Sequence, residues 1–288
     1  MVVFIAEIVG FLLALLGARG RSLVAWSLAV FAFDILRFRR ALIMKNLLRV
    51  YGSGSSARVR AEVGRASVAN FILTTIEFFA AHRVFPQYDI RFKNPETIRA
   101  ALARGQGVYL MGIHMGNFEL MGTSVGRNFA RVHAPVKPVG KGALARWVGR
   151  RRESNGIVEI FNERGQGSSR TARLMEGLRL NEIVGFMVDQ RRKKGLLLPF
   201  FSEPAWTNTG LIFLWKQRSA PILPVTIARR GLMSAEVTFH DEFIPEQKAG
   251  WSTEEFVLEN TKRVNQVVEQ LILANPKEYF WMHDRWKQ

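Results

Sequence analysis

The hydrophobic residues of this chain alternate between short unbroken runs and stretches with helical spacing. Unbroken apolar runs predict buried strands, and apolar positions three or four residues apart predict helices. The predicted strands lie near 108–113, 130–136, 157–161, 183–188, 221–228 and 234–240. The predicted helices lie near 57–82, 94–103, 141–153, 169–180, 208–218 and 253–273. This alternation predicts an α/β domain with a mostly parallel central sheet flanked by helices, in which ligands gather at strand ends.

Two apolar segments precede this pattern. Residues 2–17 carry one charge, Glu7, and residues 22–36 form a second apolar run. Each is shorter than the ~20 residues that normally cross a bilayer, and no Lys or Arg precedes the first, as one would in a signal peptide. We expect an N-terminal hydrophobic, membrane-associating helix within residues 1–36 and a catalytic domain over 37–288. A buried core helix and an interfacial helix are the alternatives.

The overall charge narrows the class of partner. With 48% hydrophobic residues the chain is not disordered, and its formal net charge of +17 implies an acidic partner such as an anionic membrane, a phosphate-rich lipid, an acidic protein or nucleic acid. The chain has no cysteine, which excludes disulfides, thiolate zinc sites and a cysteine nucleophile. Arginines and lysines that follow the first apolar segment place the catalytic domain in the cytoplasm if that segment spans.

The strand predicted over 108–113 ends on a candidate catalytic group. His114 follows the strand, and helical spacing resumes at Phe118 after the Gly116 bend. That bend can bring Glu119, in the first helical turn, close to the imidazole. A base with an orienting carboxylate can take a proton from a hydroxyl, although a single histidine at a strand end is more often structural.

Four ordered sequence blocks carry a family resemblance. They are HMGNFE at 114–119, RRRESNG at 150–156, VGFMVDQRRKKGLLLPFFSEPAWTNTG at 184–210 and YFWMHDRW at 279–286. Together they resemble the late (secondary) acyltransferases of lipid A biosynthesis, of the lauroyl and myristoyl transferase kind, a family that includes phosphatidylinositol mannoside acyltransferases. Ser202, where the family often has glycine, and the very basic run at 191–194 depart from that pattern.

The resemblance implies a glycerolipid-acyltransferase-like α/β sandwich and transfer of a fatty acyl group from a thioester to a hydroxyl. It implies that His114 is the general base and Glu119 its catalytic partner, which orients the ring or holds part of the acceptor. The other expected site residues bind substrate. They are Gly116 and Asn117, whose N–H groups are candidate oxyanion donors, Arg152 with Arg151 as the alternative register, and Asp189 and Gln190 at another strand end. No cofactor and no metal are expected.

The expected partners also follow from the resemblance. The acyl donor is acyl carrier protein, preferred over coenzyme A, and the acceptor is an anionic glycolipid such as a lipid A precursor. Phosphatidylinositol mannoside and lysophospholipid remain alternative acceptors. We expect an enzyme of the inner (cytoplasmic) membrane, with its catalytic domain on the cytoplasmic face, and no nucleic-acid partner.

Two further functions compete with this one. Gly122 to Gly126 match G-x-S-x-G, the nucleophile elbow of hydrolases, around Ser124, but the motif needs a strand immediately before its serine. The basic runs could instead mark a non-enzymatic membrane or nucleic-acid binder. His283 is expected to brace the C-terminal aromatic cluster, and His82, His133 and His240 to be structural or exposed.

Overall fold

The structure is a computed structural model that describes residues 2–136, 138–161 and 170–287. In this part of the chain a seven-stranded sheet has the order β1-β9-β8-β2-β5-β3-β4, and all neighbouring strands are parallel except β8 and β9. Its strands are β1 Asp89–Lys93, β2 Val108–Gly112, β3 Val132–Pro135, β4 Ile157–Ile160, β5 Ile183–Met187, β8 Ile222–Gly231 and β9 Ser234–Phe239. A separate antiparallel hairpin joins β6 Leu196–Phe200 to β7 Glu203–Thr207.

Helices cover both faces of this sheet. They are α1 Val2–Leu15, α2 Gly17–Val30, α3 Arg40–Tyr51, α4 Ala57–Phe79, α5 Ala81–Val84, α6 Pro95–Ala103, α7 Phe118–Asn128, α8 Gly142–Glu153, α9 Arg170–Arg179, α10 Gly210–Gln217 and α11 Thr253–Ala274. Phe31–Ile35 continues α2 as a π-helical segment, and Phe85–Gln87 is a 3₁₀ turn. The α/β architecture with a mostly parallel sheet is therefore confirmed.

Strand β2 lies at the centre of the core because all five of its residues are buried. Successive side chains of a strand point to opposite faces. Tyr109 and Met111 accordingly join the hydrophobic cluster that contains Phe256 of α11, while Val108 and Leu110 join the other cluster. A strand buried on both faces shows the unbroken apolar run from which it was predicted.

The structure adds elements that the hydrophobic pattern did not reveal. Strand β1 lies at the sheet edge, and its charged, half-exposed sequence contains no apolar run. The β6–β7 hairpin carries two prolines, and its two-residue turn places Phe201 and Ser202 at φ of +50° and +62°. Glycine adopts such left-handed angles without steric cost, which is a physical reason for the family's glycine at position 202. The helix predicted over 57–82 is interrupted at Ala80.

The N-terminal helices pack onto the rest of the domain. Helix α1 contacts α4 and α8, and α2 contacts α4. Among the described residues no single helix is both long and apolar enough to cross a membrane, although two bent pairs meet these criteria together. One is Val2–Leu15 with Gly17–Ile35, bent by 110°, and the other is Ala57–Phe79 with Ala81–Gln87, bent by 87°. Large apolar side chains on α1 and α2, including Phe4, Leu15 and Leu23, are exposed.

Candidate active site

The register between two central strands places His114 beside a carboxylate. Strands β2 and β5 are parallel neighbours in which Gly112 pairs with Met187. His114 lies two residues after Gly112, and Asp189 lies two residues after Met187. Their side chains meet, with 2.9 Å between His114 Nδ1 and Asp189 Oδ1.

This hydrogen bond sets the ionisation of both groups. Burial alone lowers the pKa of His114, but the charge and hydrogen bond of Asp189, helped by the charge of Glu119, outweigh burial, so the His114 pKa is raised above its usual 6.5. Burial raises the pKa of Asp189, yet the His114 charge and hydrogen bond, together with backbone N–H donors, hold it below its usual value. Asp189 is therefore an ionised acceptor, and Nδ1 of the ring donates to it.

Two C-terminal residues fix the surroundings of Asp189. Burial, and then the charge of Asp189, raise the pKa of Tyr279 well above 10, so the Tyr279 hydroxyl stays protonated beside Asp189. His283 Nε2 accepts a hydrogen bond from the Arg191 N–H at 2.9 Å. Burial lowers the pKa of His283 to about 4, so this imidazole is neutral and anchors the loop that follows Asp189.

Glu119 takes a different partner from the expected one. Its carboxylate pairs with the Arg152 guanidinium, with 3.1 Å between Arg152 Nε and Glu119 Oε2 and a second bond from Nη2. The same guanidinium binds Glu159 on β4. The hydrogen-bond partner of the imidazole is therefore Asp189 and not Glu119, because the β2–β5 register brings those two strand ends together. Glu119 acts on the ring through its charge, which helps to raise the His114 pKa.

Consecutive arginines of α8 point to different parts of the molecule. Arg152 faces the site, whereas Arg151 binds Glu7 of α1 at 2.8 Å and His82 at 2.6 Å. Adjacent helical residues are about 100° apart around the axis, so their side chains leave the helix in different directions. The side chain beside Glu119 is that of Arg152.

His114, Phe118, Glu119 and Arg152 border two joined cavities. The wide cavity has a volume of about 590 Å³. Its aromatic wall includes Phe71, Phe78 and Phe118, and its polar wall includes Gln190, Arg170, Arg192 and Asn208.

The narrow cavity, of about 150 Å³, extends from His114 between α7 and the sheet. Apart from His114, Glu119 and Arg152 its lining is apolar. Glycines at 112, 122 and 185 line it, and a Cβ at Gly122 would lie 2.9 Å from Ile157 Cδ1. The absence of side chains at these glycines leaves room for a slender apolar ligand.

Comparison with known proteins agrees with this geometry. The sequence profile of the bacterial lipid A biosynthesis acyltransferases matches residues 1–288. The chain belongs to this family. It is 26% identical over 267 residues to the lipid A biosynthesis palmitoleoyltransferase of Escherichia coli (strain K12), covering 89% of this chain and 81% of that protein. It is 25% identical over 205 residues to the lauroyltransferase of the same organism, covering 67% and 60%.

As a member of this family the protein is an acyltransferase. The other predicted site residues lie at or near its two cavities. Gln190 lines the wide cavity. Asp189 is only 2% exposed, bonds His114 and is not among the described residues that line either cavity.

Gly116 and Asn117 are not among the described residues that line either cavity. The Gly116 N–H donates to the carbonyl of Glu278 at 3.1 Å, and this bond occupies one of the N–H groups expected to bind the oxyanion. Asn117 caps α7, since its Oδ1 accepts from the Leu120 N–H at 2.9 Å. Both residues shape the turn of this acyltransferase that joins His114 to Glu119.

The segment around Ser124 does not form a nucleophile elbow, because it lies within α7. Ser124 lies in the second turn of α7, is buried, and has no strand directly before it. The strand ends at Gly112, before His114. Among the described residues no three His, Asp or Glu side chains group closely enough to hold a metal ion.

Sequence reasoning missed two parts of the acyltransferase site. The contacts of Glu159 and Tyr279 came only from the structure, although Tyr279 opens the block at 279–286 and Glu159 closely follows the block at 150–156. The signal for Asp189 as the ring's partner was available: His114 and Asp189 each follow a buried strand, and neighbouring parallel strands bring such residues together.

Proposed function

We propose that the protein transfers a fatty acyl group from a thioester to a hydroxyl of an anionic glycolipid, a lipid A precursor, with His114 as general base. The observation that carries this proposal is the bond between His114 Nδ1 and buried, ionised Asp189 at the junction of the two cavities. Because Nδ1 carries the proton in that bond, the neutral ring has its lone pair on Nε2.

The reaction follows from that tautomer. His114 Nε2 takes the proton of the acceptor hydroxyl while the oxygen attacks the thioester carbonyl. Asp189 stabilises the imidazolium that forms. When the tetrahedral intermediate collapses, the carbon–sulfur bond breaks and His114 returns the proton to the departing thiolate. Such a base contributes about 10²- to 10⁴-fold in rate.

Arg152 supports the developing negative charge on the carbonyl oxygen. Three of its bonds go to Glu119 and Glu159, and a guanidinium has about five N–H donors. Its other N–H groups are available to a ligand because Arg152 lines both cavities. Burial opposes the charge of Arg152, but Glu119 and Glu159 raise its pKa, so it stays a cation. Glu119 in this arrangement aims the guanidinium.

The two cavities divide the substrates between them. The narrow apolar cavity beside Gly122 suits an acyl chain, and the wide cavity, with Arg170, Arg192 and Gln190, suits a phosphorylated sugar. Arginine is well suited to bind phosphate because its planar fork matches phosphate geometry. The net charge of +17 also favours an acidic acyl carrier protein as donor.

Residues 1–36 are proposed to hold the enzyme at the cytoplasmic face of the inner membrane. Their helices expose large apolar side chains, among them Phe4, Leu12, Leu15 and Ile35. A surface of this kind is stabilised by contact with acyl chains. The basic residues that follow it are attracted to anionic headgroups.

The test uses membranes that carry the wild type or His114→Ala, incubated with labelled acyl-acyl carrier protein and the lipid A precursor, with products identified by mass spectrometry. We expect His114→Ala to lower the rate by about 10²- to 10⁴-fold. His240→Gln is the matched control, because His240 binds Thr226 and lines neither cavity. Undiminished product from His114→Ala removes the mechanism.

The same assay separates the acceptors. Membranes that contain phosphatidylinositol mannoside or lysophospholipid in place of the lipid A precursor are run in parallel. A wild-type product formed only on one of those lipids removes the acceptor assignment and leaves the base intact.

A further inference from the structure

A buried polar network lies behind the turn that joins His114 to Glu119. We call it the closed network, and it comprises Asn70, Thr74 and Glu77 of α4, Tyr88, Arg229 of β8, and Glu278. None of its members lines the narrow cavity, and only Thr74 also touches the wide one. The mechanism proposed above uses none of these groups.

Glu77 is the centre of the closed network. It is 1% exposed. Its Oε1 accepts from the Tyr88 hydroxyl at 2.6 Å, and its Oε2 accepts from Arg229 at 2.8 Å and from Asn117 Nδ2 at 2.8 Å. A buried carboxylate is tolerated when it is paired and hydrogen-bonded in this way.

Arg229 ties Glu77 to the neighbouring elements. Its Nε donates to Asn70 at 3.0 Å, one terminal nitrogen donates to Tyr88 at 2.7 Å, and the other donates to Thr74 at 3.2 Å as well as to Glu77. Burial opposes the charge of Arg229, but the charge and hydrogen bond of Glu77, together with Tyr88 and Glu278, outweigh burial and raise the Arg229 pKa.

The closed network is hydrogen-bonded to both central residues of the turn, Gly116 and Asn117. The Gly116 carbonyl accepts from Asn70 at 3.1 Å and from Thr74 at 3.2 Å. Gly116 has φ of +59°, and a Cβ there would lie 2.4 Å from the Ile227 carbonyl oxygen, so only glycine fits. The Asn117 side chain donates a hydrogen bond to Glu77 and at the same time caps α7 through its Oδ1. The turn is therefore fixed from the side opposite the reactive groups.

We propose that Glu77 is a positioning residue: through its bond to Asn117 it sets the first turn of α7, and with it the place of Glu119 and Arg152 relative to His114. The proposal rests on the function proposed above. Asn117 donates to Glu77 with one end of its amide and caps α7 with the other. Releasing one end frees the amide to rotate, and misplacement by about 1 Å near reacting groups costs on the order of 10²-fold in rate.

The first experiment compares Glu77→Gln with Tyr88→Phe. The glutamine keeps the size of the side chain but can present an N–H where Asn117 donates. We expect Glu77→Gln to lower kcat by roughly 10- to 100-fold, with KM for both substrates within about twofold because neither cavity loses a contact. Tyr88→Phe removes a different bond to Glu77 and should leave kcat within about twofold.

Reversing the polarity of the Glu77–Asn117 bond provides the rescue. Asn117→Asp alone places two carboxylates together and should lower kcat at least as much as Glu77→Gln. In the double variant Glu77→Gln, Asn117→Asp, the glutamine donates and the aspartate accepts, and Asp still caps α7. We expect the double variant to recover at least tenfold of the lost kcat.

One variant keeps the proposal testable if Glu77→Gln does not fold. Asn117→Ser retains a good N-cap residue but is too short to reach Glu77, and it leaves the Glu77–Arg229 pair intact. It should lower kcat as Glu77→Gln does, with a melting temperature close to that of the wild type.

Hydrogen–deuterium exchange gives a readout independent of substrate. Peptides over residues 114–122 should exchange faster in Glu77→Gln and Asn117→Ser, and not in Tyr88→Phe, while peptides of α11 stay as in the wild type. Uniformly faster exchange, equal kcat losses in Glu77→Gln and Tyr88→Phe, or no rescue by the double variant would each overturn the positioning role. Absence of transfer by the wild type, with this exchange pattern intact, would instead reject the proposed function alone.

Discussion

The turn between His114 and Glu119 has two unlike sides. On the open side, His114, Glu119 and Arg152 border the cavities, with side-chain exposures of 21%, 12% and 12%. On the closed side, Glu77 is 1% exposed and binds Tyr88 and Arg229 of the closed network and Asn117 of the turn. Both sides use carboxylate–cation pairs, but only the open side presents polar atoms to a ligand. A carboxylate–cation pair can therefore meet a substrate on the open side, whereas a similar pair on the closed side only holds the turn in place.

The largest effect should come from Asp189→Asn, which alters the open side without changing its shape. An asparagine can hold the imidazole in the wrong tautomer, and comparable losses of an orienting carboxylate cost on the order of 10³- to 10⁴-fold in rate. We expect kcat to fall on that scale with the melting temperature little changed. A loss below about tenfold would show that Asp189 does not orient His114.

The pH dependence of kcat/KM also tests the bond between His114 and Asp189 on the open side. The proposed mechanism requires the neutral imidazole, so the rate should rise with pH through the His114 pKa, which Asp189 raises above 6.5 against the opposing effect of burial. In Asp189→Asn, burial and Arg152 still lower that pKa, and only the charge of Glu119, a smaller effect than burial, still raises it. The acidic limb of kcat/KM should therefore move to lower pH. A limb that stays in place would mean that it reports another group.

Arg152→Gln should have a smaller effect on rate. It removes a cationic donor from the open side, and loss of one such donor costs about 10²-fold in kcat. It also leaves Glu119 and Glu159 unpaired at low exposure, so the free energy of unfolding should fall by ~3 kcal/mol. Activity assays and denaturant titrations measure the two effects.

Arg151→Gln is the matched control for Arg152. It breaks the contacts with Glu7 and His82 and leaves the Glu119 pair in place. We expect it to lower stability while kcat per folded molecule stays within about threefold. Equal kcat losses in the two variants would mean that Arg152 acts only through the packing of α8.

The smallest effect concerns substrate choice. Gly122→Val fills the narrow cavity next to Ile157, so the preferred acyl chain should become shorter, with a change of roughly threefold to tenfold in the ratio of kcat/KM for long and short donors. Competition between acyl-acyl carrier proteins of different length measures this ratio.

Ser124→Ala tests the same helix away from the cavity. Ser124 is not among the described residues that line either cavity, and we expect chain preference and rate to be unchanged. A fluorophosphonate probe should not label this serine. Labelling that Ser124→Ala abolishes would revive the hydrolase alternative.

The sequence alone predicted the α/β class and the strand that leads to His114, because buried strands are continuous apolar runs. The four ordered blocks predicted the family. The sequence did not reveal β1 or the β6–β7 hairpin, because an edge strand is half polar and proline-containing strands lack the usual signal.

Which carboxylate meets His114 was decided by tertiary structure. Glu119 is closer in sequence, but Asp189 is closer in space because β2 and β5 are neighbours in register. The support of the turn by Glu77 and Arg229 was likewise invisible in the sequence, since it joins residues 152 positions apart. Hydrophobic periodicity reports which residues are buried, whereas the pairing of buried polar groups depends on which elements the fold brings together.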